Sequence, residues 1–152
     1  MIKYLGQANQ DCLTSQATKD TVARWFVDAA FAVHPGQKSH TGYYMTLGSG
    51  AVISASKKQN LNTRISSEAE QVATDKAAGP MPWTSRFLLE QGYGVKTILY
   101  QNNRSSILME SNGHSSAGKR SRPLDIGYFF ITDLKEKGLV SIKYCPNRID
   151  DS

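Results

Sequence analysis

The chain has 152 residues, 39% of them hydrophobic and 20% charged, which excludes a disordered chain and is enough for one domain with its own core. With 18 basic against 13 acidic residues the net charge is +5, which leans toward a polyanionic partner such as nucleic acid without requiring one. The longest apolar run, Ala29 to Val33, is far too short to cross a bilayer, and the opening "MIKYLGQANQ" has no signal-type apolar stretch.

The first strong element is "ARWFVDAAFAV" (23–33), β-rich and apolar on both faces but with Asp28 in its middle. "HPGQKSHTG" (34–42) reads as a loop, and "YYMTLGSGAVISASKK" (43–58) as a hairpin turning at Gly48-Ser49-Gly50. "SSEAEQVATDKAA" (66–78) predicts a helix with Ala69, Val72, Ala73 and Ala77 on one stripe. "GPMP" interrupts it at Pro82, and "WTSRFLLEQG" (83–92) resumes as a second helix. A strand over 95–102, a short helix over 104–113 and a basic connector over 114–123 follow. A helix over 124–138 and a last strand over 140–146 close the chain. Three consecutive strands predict an antiparallel meander, and strands reached through helices predict parallel additions to it. Cys12 and Cys145 stand alone, without zinc spacing, and suit a reducing compartment.

The carboxylates carry the chemical signal. Asp28 shares a strand face with Phe26 and Ala30, so an ionised carboxylate there needs partners or a cation unless the strand is an exposed edge. Glu70 closes Ser67-Glu68-Ala69-Glu70, an S-x-x-E pattern that a capping box would explain without any chemistry. Glu68 and Asp125 read as helix-start acids, and Asp150 and Asp151 as solvated terminal acids. His40 and His114 fall in loops with no partner at ligand spacing. The run Lys119-Arg120-Ser121-Arg122 is a solvated loop or a phosphate clamp.

"WFVDAAFAVHPGQKSHTGYYMTLGSGAVISASKKQNLNTRISSEAEQVA", "LYQNNRSSILMESNG", "SSAGKRSRPLDIGYFFITDL" and "VSIKYCP" together resemble the ribonuclease H region of copia-type LTR retrotransposon Pol polyproteins. The resemblance runs in the family's order over nearly the whole chain. It implies a mixed α/β ribonuclease H-like fold, a five-stranded mixed sheet with helices packed on it. It also implies cleavage of the RNA strand of RNA:DNA hybrids, with four acids holding two Mg2+ ions (Mn2+ as a substitute). Residues 1–22 would be the connection that follows a reverse transcriptase. Residues 23–152 would be the ribonuclease H-like domain, lacking its final helix. The expected setting is intracellular, in the cytoplasm within a retroelement particle or in the nucleus.

Carried over position by position, Asp28 matches the first-strand aspartate and Glu70 the helix glutamate. The family's D-N-x-S is here Asn102-Asn103-Arg104-Ser105, so Asn102 stands where a metal-binding aspartate is expected. Asp151 is the candidate fourth ligand, and Lys119, Arg120 and Arg122 the candidate phosphate contacts. Pro123 replaces the usual His. These departures describe a degenerate copy with impaired cleavage. The competing expectation is an inactive hybrid-binding or structural remnant of the same domain. The third is a small mixed α/β protein unrelated to nucleic acid.

Overall fold

The computed structural model describes residues 16–19, 21–102 and 130–145. Strands β1 (Gln16–Ala17), β2 (Val22–His34), β3 (Lys38–Thr46), β4 (Gly48–Ser49) and β5 (Ile53–Lys58) precede helices α1 (Ser66–Ala78) and α2 (Pro80–Glu90). Strand β6 (Lys96–Gln101), a helical segment over 130–136 and strand β7 (Ser141–Tyr144) follow. Five strands form one sheet in the order β5-β3-β2-β6-β7. β2 pairs antiparallel with β3, and β3 with β5. β6 adds parallel to β2, and β7 parallel to β6. The mixed sheet expected from the order of elements is the sheet observed.

Alternation along β2 sends Ala23, Trp25 and Val27 to one face, where α1 covers them with Ala69, Val72, Ala73 and Ala77, the stripe read from helical spacing. Leu99 from β6, Met45 from β3, Met81 from α2 and Ile131 complete this core. The core is one-sided: residues of even number on β2 point to the opposite face.

Four local expectations change. The loop over 34–42 is only a turn at residues 35–37, because Lys38 onward already pairs with β2. The hairpin of 43–58 is not a tight turn. β4 leaves it to pair with β1, through Gln16↔Ser49 and Ala17↔Gly48. Gly48 is required there, since a Cβ would collide with the Gln16 carbonyl. The break between the helices falls at Gly79, not Pro82. Pro80 and Pro82 occupy the first turn of α2, where a missing N–H costs nothing because those donors have no intrahelical acceptor. His40 lies in β3 rather than a loop, half-buried, and its Nδ1 is 2.8 Å from His34 Nε2 while its Nε2 is 2.7 Å from Ser56 Oγ.

Candidate active site

β2 is longer than its parallel neighbour. Their ladder runs from Val22↔Lys96 to Phe26↔Tyr100, so Asp28 projects beyond it at the carboxyl end of β6. Asp28 lies on a central strand, not on an edge, and its side chain is nevertheless exposed on the open face of the sheet. α1 packs on the other face of the sheet.

Glu70 enters from that side. It sits in the first turns of α1, only 5% exposed, with Oε2 buried and without a hydrogen-bond partner. Burial, and then the Asp28 carboxylate, push its pKa from the ordinary 4.5 up to about 7, against the opposing pull of a hydrogen bond from the Ala29 backbone N–H. A buried carboxyl facing a second carboxylate is the arrangement of a cation site or of a shared proton, and not of a helix cap.

The capping-box reading of Glu70 therefore fails. The helix starts after Ile65, which makes no side-chain cap hydrogen bond. It is Glu68, three residues on, that reaches back to accept the Arg64 N–H at 2.6 Å. The S-x-x-E spacing placed the cap two residues too late. Moving it to Glu68 frees Glu70 to face Asp28.

Asn102 is the first residue past β6, and its Nδ2 points at Asp28 Oδ1 across 3.4 Å. The structure thus places both Glu70 and Asn102 against Asp28. Asp151, Lys119, Arg120 and Arg122 lie outside the described residues, as do Asp125, Asp150 and His114. Among the described residues, no group of three or more His, Cys, Asp or Glu gathers to hold a metal ion.

Several supporting residues carried no sequence signal. Gln59 donates from Nε2 to both Thr41 Oγ1 (3.0 Å) and the Ala69 carbonyl (2.9 Å), tying the start of α1 to β3 next to Glu70. Gln101 Oε1 accepts from Thr74 Oγ1 at 3.1 Å, fixing the end of β6 against α1. Both glutamines are buried, and only the folded chain supplies their partners. On the open face Phe26 stacks between Tyr44 and Tyr100, with ring centroids 4.7 and 4.9 Å apart. These three rings, with Asp28 and Asn102 beside them, line a groove of about 450 Å³. Period-two spacing placed Phe26 and Asp28 on one face, but the cross-strand partners needed the register.

The fold is shared with solved structures of low sequence identity. LC11-RNase H1, isolated from compost by a metagenomic approach, aligns with 84% of this chain and 86% of its own at TM-score 0.60 and 11% identity. The fold is ribonuclease H-like. RNase H1 from the halophilic archaeon Halobacterium salinarum matches over 82% of this chain and 86% of its own (TM-score 0.54, 14% identity). The foamy viral protease-reverse transcriptase, in its complex with RNA/DNA hybrid, matches 91% of this chain with 20% of its own (TM-score 0.56, 14% identity). LC11-RNase H1 has likewise been solved in complex with RNA/DNA hybrid. No family model and no curated protein sequence matches the chain. At these identities the likeness establishes the ribonuclease H-like fold.

Proposed function

We propose that the chain is a ribonuclease H domain of a copia-type retroelement Pol protein, adjoining a reverse transcriptase. On this reading it binds RNA:DNA hybrid and is impaired in cleaving the RNA strand. The observation that carries this reading is the pairing of Glu70 with Asp28. A nine-tenths-buried carboxyl with an unpartnered oxygen, held up to about pKa 7 beside a second carboxylate, is costly unless a cation or proton joins the two.

The donor set fits a divalent cation. Asp28 and Glu70 would supply two negative charges, matched to one Mg2+. A bound divalent ion supplies Lewis-acid activation of water and stabilises the leaving 3′ oxygen. A second ion would need further carboxylates. Asn102 offers an amide where a third is expected, and Asp151 is proposed as the fourth.

The remaining work falls to the chain's own groups. Glu70 must give up its proton before it can serve as a ligand, and Gln59 sets where α1 presents it. Asp28 sits at the solvent side, where a phosphodiester would arrive. Lys119, Arg120 and Arg122 are proposed phosphate contacts on the strength of the family resemblance and the net charge of +5.

One observation favours a second reading, an inactive hybrid-binding domain. The Asn102 amide turns its nitrogen, not its oxygen, toward Asp28. It therefore donates to the carboxylate that a cation would use.

A hybrid-cleavage assay with magnesium and then manganese, run beside calorimetric metal titration, tests both. Slow manganese-supported cleavage that Glu70→Gln abolishes supports the first reading. Salt-sensitive hybrid binding with no cleavage under either metal supports the second. Absence of hybrid binding at low salt overturns both.

A further inference from the structure

The amino ends of β6 and β7 lie at the end of the sheet opposite Asp28 and Asn102. There α2, the start of β6 and the turn before β7 enclose a groove of about 1030 Å³. Its charged lining is Arg86, Lys96 and Lys143, all exposed, with no carboxylate among the lining residues. None of the three is ion-paired among the described residues. Its apolar lining includes Leu89, 62% exposed, and Leu139, 53% exposed, above half-buried Val95. The wall is braced: Ser85 Oγ on α2 lies 2.6 Å from Thr97 Oγ1 on β6.

We propose that this groove docks an acidic amphipathic peptide segment of a partner protein. Three cations without a counter-charge among the described residues call for acidic side chains. Two leucines left in water at the rim call for apolar anchors between those acids. Duplex nucleic acid would satisfy the cations but keeps its base faces stacked inward and offers little apolar surface to Leu89 and Leu139, whereas the peptide accounts for both halves of the lining, and the single-stranded oligonucleotide below tests the exposed-base alternative. The site is independent of the carboxylates, and so of any hydrolytic activity.

The test uses the full chain and a fluorescein-labelled synthetic peptide with leucine and glutamate at helical spacing. Its lysine-for-glutamate counterpart and a single-stranded oligothymidylate are the comparisons. Anisotropy should show saturable binding of the glutamate peptide, weakened by salt, and none of the lysine peptide. The double variant Arg86→Glu/Lys96→Glu should lose about tenfold in affinity or more, as should Leu89→Ser, with thermal melts unchanged because these side chains are exposed. In the unsubstituted protein, amide chemical-shift changes should cluster within 81–98 and 138–143. Equal binding of the two peptides, displacement of the glutamate peptide by the oligonucleotide, unchanged affinity in the variants, or shifts centred elsewhere would each overturn the proposal.

Discussion

The side-chain amide of Asn102 donates to Asp28 Oδ1 across 3.4 Å, and so occupies from the sheet side the carboxylate that Glu70 approaches from the helix side. An aspartate in that place would face Asp28 with charge instead of a donor. Asn102→Asp should therefore destabilise the metal-free protein by about 1 to 2 kcal/mol through three-carboxylate repulsion. The same substitution should strengthen Mg2+ binding about tenfold or more, since magnesium relies on carboxylates to offset its dehydration. Urea melts with and without magnesium, together with hybrid cleavage, read both effects. Robust cleavage by the Asn102 protein, unchanged by the substitution, would remove the argument that a ligand is missing.

Glu70 gives the fold a pH dependence of defined sign. Its pKa is about 7 when folded and near the ordinary 4.5 when unfolded, so between those values the folded state binds more protons. Its contribution is fully present below about pH 4.5 and is lost as pH rises through about 7. Solvent screening keeps the loss to a few kcal/mol at most. Glu70→Gln, which mimics the protonated carboxyl, should remove this fall and be more stable than the parent at pH 8 without metal. Denaturant midpoints of the two proteins from pH 4 to 8 check the sign. Parallel curves would show that Glu70 ionises at its ordinary value.

Gln59 is expected to matter more than its position after a surface strand suggests. Gln59→Ala leaves the Thr41 hydroxyl and the Ala69 carbonyl without their buried donor, at a cost of about 2 kcal/mol. Because Ala69 precedes Glu70, the variant should also bind magnesium more weakly than its stability loss explains. Chemical denaturation and calorimetry separate the two. Unaltered metal affinity would confine Gln59 to holding the fold.

Nucleic-acid binding should follow shape and charge. The domain is expected to prefer RNA:DNA hybrid over duplex DNA, through minor-groove shape and 2′-hydroxyls, and to lose affinity steeply as salt rises. Gel-shift titrations of matched hybrid and DNA duplexes across a salt series test this. Equal affinity for both duplexes contradicts it.

The order of the elements was legible without coordinates because it rests on local patterns. β-type composition made β2 a strand, the Ala69-Val72-Ala73-Ala77 stripe made α1 a helix, and strands reached through helices made β6 and β7 parallel additions. Asp28, Glu70 and Asn102 were marked as candidates by a family resemblance, whereas no local signal marks Glu70 as more than a cap. Element ends misled where partners lie far along the chain. Lys38–Gly42 is strand only because β2 pairs with it, and the 43–58 hairpin opens only because Gln16–Ala17 takes Gly48–Ser49 as a partner.

What the folded chain alone decided is the electrostatic state of the site. The elevated pKa of Glu70 comes from its depth beneath the sheet and from Asp28, 42 positions earlier, and neither is a local property. The same holds for the Asn102 contact with a residue 74 positions away, and for the Phe26, Tyr44 and Tyr100 stack, which needs three strands in register. Propensity and periodicity act over a few residues and so determine elements. Desolvation and charge coupling depend on distance in space, and packing determines those distances.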